Sequence, residues 1–349
     1  MDLQDILATG GFATYALRHP LEGLSSFGPT LSEATFGLLG ASFKPERDIS
    51  DIEGKTILVT GGNAGIGQET ILQLAKHRPG RIYLAARTES KAHAAMESVK
   101  KQVSTPVDIR HIPLDLSSFD SIRAGAEKFQ ADSDRLDILI LNAGTMGNPP
   151  DKTKDGFEIQ FGTNHIGHFL FTKLLMPTLK KTAADLKAKG QQPDVRVVTV
   201  ASVAHVLSPS TLEAMTSTQS LLAASTWTRY GASKAANILF AAELARRNPE
   251  ILSVAVHPGA VNSDLYSHTK ATSAVMERGL TLAGSLFFRK VTSGALNSLW
   301  AATTAKENLT NGAYYTPVGF RSNGSAFVQD SEMAKQLWEW TEDQIAERS

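Results

Sequence analysis

"TGGNAGIG", residues 60–67, follows a short β-branched run, "KTILVT" (55–60), and opens a stretch with apolar residues at helical spacing, "GIGQETILQLAKH" (65–77). A strand that runs into a glycine-rich turn and then a helix N-terminus can cradle an anion. Glycine lets the backbone turn sharply and approach a pyrophosphate, whose charge then faces free helix N–H groups. Gly61, Gly65 and Gly67 are spaced G-x-x-x-G-x-G rather than G-x-G-x-x-G. Taken alone, the loop is equally readable as an ordinary strand-to-helix turn.

Outward from this loop, strand-like and helix-like stretches alternate. "RIYLAA" (81–86), "VDIRHIPL" (107–114), "LDILILNAG" (136–144), "DVRVVTVAS" (194–202), "ILSVAVHPG" (251–259) and "GAYYTP" (312–317) read as strands. Helical patterns occupy 90–102, 117–130, about 155–185 with an interruption near Pro177, 230–247 and 331–347. Apolar runs of this length separated by helices predict right-handed βαβ units. The expected class is α/β: one doubly wound parallel sheet with helices on both faces. Such sheets bind ligands at the carboxyl ends of their strands, near the switch point. Residues 1–53 are expected to form a partly helical extension packed on the body. Residues 54–349 then make one domain, with 262–296 as a lid over the substrate and an amphipathic helix at the end.

Composition narrows the function. Lys plus Arg and Asp plus Glu both number 35, so the net charge is 35 − 35 = 0 and nothing steers the chain toward nucleic acid. With no cysteine, disulfides and thiolate metal sites are excluded, which fits a reducing, cytoplasmic setting. His165 and His168 share a helical face but have no acidic third ligand in view, so no metal is expected. No apolar run approaches the roughly 18 residues of a membrane span, and the acidic start is unlike a secretory signal. Peripheral contact with a lipid surface stays open, as does the choice between monomer and homodimer.

The end of the second strand bears on the nucleotide. An NAD site usually presents an acid about 20 residues after the glycines, bound to the ribose hydroxyls. Here the text is "LAARTESK", with Arg87 after Ala86 and no acid until Glu89. A guanidinium can clamp a 2′-phosphate that a carboxylate would repel, which favours NADP(H); the alternative is an ordinary surface arginine at a strand end. Asp115, followed by Leu116, is placed to accept from the adenine amino group. Asn142, Ala143 and Gly144 put small residues where a strand must pass close to a ribose.

"YGASK" (230–234) sets Tyr230 and Lys234 four residues apart, on one helical face. An ammonium near a phenol favours the phenolate and lowers its pKa from about 10, making Tyr230 a usable acid or base. Ser202, ending the strand before, is positioned to hold a substrate carbonyl oxygen. Lys234 can also bond the nicotinamide ribose.

These motifs, in this order, resemble the short-chain dehydrogenase/reductase family, over roughly residues 50–345. "FGTNHIGHFLFTKLL" (161–175) and "SVAH…YGASKAANILF" are similar to its retinol-dehydrogenase-like and fungal reductase branch. The resemblance implies a Rossmann fold and a catalytic tetrad of Asn164, Ser202, Tyr230 and Lys234, with Asn164 bracing a water in a proton relay behind Lys234. It implies nucleotide contacts from Gly61, Asn63, Gly65, Ile66, Gly67, Arg87, Asp115, Leu116, Asn142, Ala143 and Gly144. Tyr230 and Lys234 join them, and Pro258, Gly259, Val261 and Ser263 close over the nicotinamide. Ser202 and Tyr230 are 28 residues apart (230 − 202), and the extra segment is expected to fold as a loop or short helix beside the site. Ser263 stands where many members have threonine.

The leading expectation is an NADP(H)-dependent oxidoreductase interconverting a ketone or aldehyde and an alcohol. Leu265, Tyr266, Val275, Met276, Leu280, Leu282, Leu286, Phe287 and Phe288 in the lid segment fit a lipophilic substrate, such as a polyketide, terpenoid, steroid or retinoid-like carbonyl, and fit equally well as plain helix core. The alternative is an NADP-binding protein of this fold used for cyclisation or isomerisation, or as a scaffold. A nucleotide-sugar epimerase fits less well, because the segment after Pro258 is short, apolar and without a second basic patch.

Overall fold

The computed structural model describes residues 43–259 and 290–348. In chain order the sheet strands and main helices are β1 (Thr56–Thr60), α1 (Gly65–Ala75), β2 (Arg81–Ala86), α2 (Glu89–Gln102), β3 (Ile109–Pro113), α3 (Phe119–Asp132) and β4 (Ile138–Leu141). They continue with α4 (Gly167–Ala188), β5 (Arg196–Val200), α5 (Leu212–Thr216), α6 (Thr218–Ala223), α7 (Thr226–Arg247) and β6 (Leu252–Val256). The chain closes with α8 (Val291–Thr303), β7 (Tyr314–Thr316), β8 (Phe320–Ser322) and α9 (Ser331–Ala346). The strands form one sheet of order β3-β2-β1-β4-β5-β6-β7-β8. Neighbours from β3 to β7 pair in parallel, and β8 runs antiparallel to β7.

Every residue of β1, β4, β5 and β6 is buried, which explains their unbroken apolar text: parallel strands are covered on both faces. Alternate side chains of each strand feed separate cores. Leu58, Leu139 and Val197 pack toward α3, α4, α7 and α9. Ile57, Ile140 and Val198 pack toward α1, α2 and α8. Strand order reverses between β1 and β4, so a crevice opens above those two strand ends.

Three local features depart from expectation. The helical run at Pro177 is not interrupted, because Leu170, Phe171, Leu175, Leu179 and Ala183 anchor α4 on both sides of the proline. Just before α4, residues Gly162–Ile166 form a π-helical turn, in which Gly167 N–H reaches back to the Gly162 carbonyl. The sheet gains the short strand β8, beyond the last expected strand. The segment after Ser202 folds as a 3₁₀ turn (Val203–Leu207) and the helices α5 and α6, whose Met215 and Leu221 are buried.

Of the N-terminal stretch, the described part packs on the body. Ile49 and Ile52 are buried, and the Ser50 hydroxyl donates to the Thr303 carbonyl. Of the expected lid, residues 291–296 open α8 against the sheet, and 262–289 lie outside the described residues. No helix among the described residues is long and apolar enough to cross a membrane.

Candidate active site

A cleft of about 730 Å³ opens at the carboxyl ends of β1, β2, β4 and β5. Its walls include Gly61, Asn63, Gly65, Ile66, Gly67, Arg87, Asp115, Leu116, Asn142, Ala143, Gly144 and Pro258, all expected from the sequence, together with Tyr230 and Lys234. Gly259 adjoins Pro258 but is not part of the wall. Val261 and Ser263 lie outside the described residues.

The glycine loop is shaped by close backbone approaches. Gly61 has φ +67°, and a Cβ there would lie 2.9 Å from the Ala143 Cα. A Cβ on Gly67 would lie 2.3 Å from the Gly61 carbonyl oxygen, so only glycine lets the helix start so close to the strand end. Ala64, the N-cap of α1, supplies no side-chain acceptor, so the first N–H groups of the helix are left for an outside anion.

The floor of the cleft is held by one hydrogen-bonded chain. Thr60 Oγ1 accepts from Asn142 N at 2.9 Å and Ala143 N at 3.0 Å, and it bonds His168 Nε2 at 2.9 Å. His168 Nδ1 lies 2.9 Å from the Asn164 carbonyl, which can only accept; Nδ1 therefore carries the hydrogen and Nε2 accepts from Thr60. Burial pushes the His168 pKa down to about 4, consistent with this neutral ring. Both ring nitrogens are thus spent on structure.

At the adenosine end, Arg87 is exposed at the end of β2 and makes no hydrogen bond or ion pair among the described residues. Thr88 and Lys91, which the sequence reading missed, stand beside it in the cleft wall. Asp115 accepts from Ser117 N and Oγ through one oxygen, Oδ1.

At the other end, Tyr230 is 7% and Lys234 3% exposed. The Lys234 ammonium lies 5.6 Å from the centre of the Tyr230 ring and donates to the Val200 carbonyl at 2.9 Å. Burial pushes its pKa down to about 7. The small residues between them also have a cause: a Cβ on Gly231 would lie 2.6 Å from the Ala204 carbonyl oxygen and 2.9 Å from Ser208 N. Gly231 thus lets α7 press against the turn that follows Ser202.

Asn164 stands behind the wall at Gly144, and Ser202 caps the turn that follows β5. Ser202 is half-buried, and its Oγ accepts from Ala204 N at 3.1 Å, which leaves its own hydrogen to donate. Asn164 is fully buried: Oδ1 accepts from Thr145 N at 2.8 Å, and Nδ2 donates to the Thr145 carbonyl and Ser233 Oγ. Its side chain ties the π-helical turn to the segment after Gly144.

Beside Tyr230, Met146 and Ala204 form a small buried apolar cluster with Trp227 against it. Met146 follows the N-A-G motif by two positions, and Trp227 precedes Tyr230 by one helical turn. Those two spacings were the signals available in the sequence.

The short chain dehydrogenase family model matches residues 55–214. A short-chain dehydrogenase/reductase of Armillaria gallica is 37% identical over 300 residues, 85% of this chain and 92% of that one. Retinol dehydrogenase 12 of Mus musculus is 36% identical over 290 residues, 82% and 85% of the two chains. Among solved structures, the RhlG/NADP active-site complex of Pseudomonas aeruginosa aligns with a TM-score of 0.59 at 25% identity, covering 77% of this chain and 96% of that one.

Proposed function

The chain belongs to the short-chain dehydrogenase/reductase family, in its retinol-dehydrogenase-like and fungal branch, and from that premise we propose an NADP(H)-dependent oxidoreductase that interconverts a ketone or aldehyde and an alcohol on a lipophilic small molecule. The observation that carries this reading is the sharing of one cleft by the glycine loop, Arg87, Tyr230 and Lys234. When bound, the nicotinamide supplies the hydride acceptor or donor. The chain supplies the rest: binding, orientation and the proton.

The uncapped start of α1 and the close backbone at Gly61 and Gly67 fit a pyrophosphate. Arg87, with Lys91 beside it, fits a 2′-phosphate, which favours NADP(H) over NAD(H). The solved relative named as an NADP complex agrees with that choice.

Tyr230 gives its proton to the carbonyl oxygen in reduction and takes it back in oxidation. Ser202 donates its remaining hydrogen to the same oxygen. Lys234 is nearly dehydrated, so in its protonated form the charge is poorly screened and favours the phenolate of Tyr230. Asn164 acts through position, by fixing the wall at Thr145 and the helix at Ser233. Preset hydrogen bonds on the oxygen and proximity to the hydride would provide most of the acceleration.

A lipophilic substrate is supported by the apolar flank of Met146, Ala204 and Trp227, and by a relative named for retinol. In this reading residues 54–349 are the catalytic unit. The test is purified protein with NADPH and a panel of lipophilic ketones and aldehydes, following loss of the reduced-nicotinamide absorbance. Turnover abolished by Tyr230→Phe with nucleotide binding intact supports the reading. Nucleotide binding without turnover of any carbonyl would leave a scaffold or non-redox role instead.

A further inference from the structure

We propose that Glu89, His93 and His111 form a binding site for a divalent transition-metal ion, best matched by Zn²⁺, on the side of α2 facing away from the nucleotide cleft. One donor atom from each residue lies within 4.8 Å of the other two. Glu89 and His93 are four residues apart on the first turns of α2, and His93 Nε2 is 3.6 Å from Glu89 Oε1. His111 comes from β3, the edge strand of the sheet. The two imidazole ring centres are 5.9 Å apart and inclined at 71°.

One ring nitrogen of His111 is already committed to the backbone. Its Nε2 lies 3.0 Å from the Ala86 carbonyl, which can only accept. The hydrogen is therefore on Nε2, and the free lone pair is on Nδ1. A ring N–H held by a backbone carbonyl is the usual outer-shell partner of a metal-bound histidine.

The donor set, two imidazoles and one carboxylate, suits zinc and its neighbours rather than magnesium or calcium, which prefer all-oxygen sets. Metal–ligand bonds of about 2.0–2.2 Å need donors closer together than they stand here. Glu89 and His93 are exposed, so rotation of two free side chains closes that gap.

Lys91 and Ala95, which line the nucleotide cleft, lie on the opposite side of α2. An ion bound to the three residues would tie the start of α2 to the sheet edge, and so hold Thr88 and Lys91 in place behind Arg87. Metal uptake and nucleotide grip are then linked through one helix, with no shared ligand.

Tag-free protein, stripped with a chelator and without nucleotide, would be titrated with ZnCl₂ by calorimetry. One saturable ion per chain is expected, weakened by His93→Gln or His111→Gln alone by more than the roughly 10–100-fold that loss of an outer-shell partner costs. Zn²⁺ should also raise the melting temperature of the wild type, and not that of the double variant. No saturable uptake by the wild type, or uptake unchanged in the double variant, would overturn the site. Because no nucleotide is present, either result leaves the oxidoreductase reading standing or falling on its own test.

Discussion

Lys234 sits almost free of water against the Val200 carbonyl, with its pKa pushed down from 10.5 to about 7 by burial. Unfolded, the amine regains its ordinary value. Between about pH 7 and 10.5 the unfolded chain therefore binds a proton that the folded chain does not, and this group makes stability rise with pH across that window. Its cost is complete below pH 7. Lys234→Met removes both the cost and the slope, so the variant should be the more stable protein at neutral pH, with the advantage shrinking as pH approaches 10.5. Urea midpoints at two pH values measure this, and a pH-independent difference would mean that the amine is not desolvated. Tyr230→Phe keeps the ring and deletes the proton. It should cost about 10²–10⁴-fold in turnover while nucleotide affinity stays put, as read by stopped-flow and fluorescence titration. Gly231→Ala tests the packing behind both residues. Its methyl would meet backbone on two sides, Ala204 O and Ser208 N, neither the tip of a flexible side chain. The overpacking should cost about 1–3 kcal/mol in chemical denaturation.

The helix that carries Tyr230 and Lys234 begins one turn earlier, at a serine. Ser225 Oγ accepts from Thr228 N at 3.1 Å and ends the segment that leaves the site after Ser202. Ser225→Ala should cost about 1 kcal/mol, most of it restored in Ser225→Asp, measured by thermal melts. A larger loss in turnover than in stability would show that the cap also sets the position of Tyr230. Elements of this kind were legible where their cause is local. The buried strands announce themselves as unbroken apolar runs, and α3 starts after Ser118, whose hydroxyl accepts from Ser121 N. The π-helical turn at Gly162–Ile166 was not legible. It is accompanied by Asn164 reaching Thr145 and His168 reaching Thr60, partners that only the folded sheet brings together. Pro177 misled for the same reason: a propensity of about 3 kcal/mol against helix yields to apolar anchoring that a local pattern does not weigh.

For the molecule as a whole, strand order 3-2-1-4 sets the glycine loop, Arg87, Asp115 and the N-A-G strand end around one crevice, although they are spread from residue 61 to 144. Alternation of strand and helix was enough to place these residues at strand ends. It did not tell which would face the crevice and which, like Asn164, would stand behind it, since that depends on side-chain partners from distant segments. The same arrangement makes the nucleotide a stabiliser of the entire fold, because its site exists only when the strand ends are assembled. At a hundred times its dissociation constant a ligand adds about 2.7 kcal/mol. At roughly 2 °C per kcal/mol, the value for domains approaching this size, that is a melting shift on the order of 5 °C. If Arg87 grips a 2′-phosphate, NADP⁺ should give that shift at far lower concentration than NAD⁺. Arg87→Ala should bring the two curves together by weakening NADP⁺ roughly 10–100-fold, the worth of hydrogen bonds to a charged group, with little change for NAD⁺. Coincident curves for the wild type would remove the phosphate from the reading of Arg87 and leave the dehydrogenase assignment in place. A protein whose melting neither nucleotide moves would remove the cleft from it altogether.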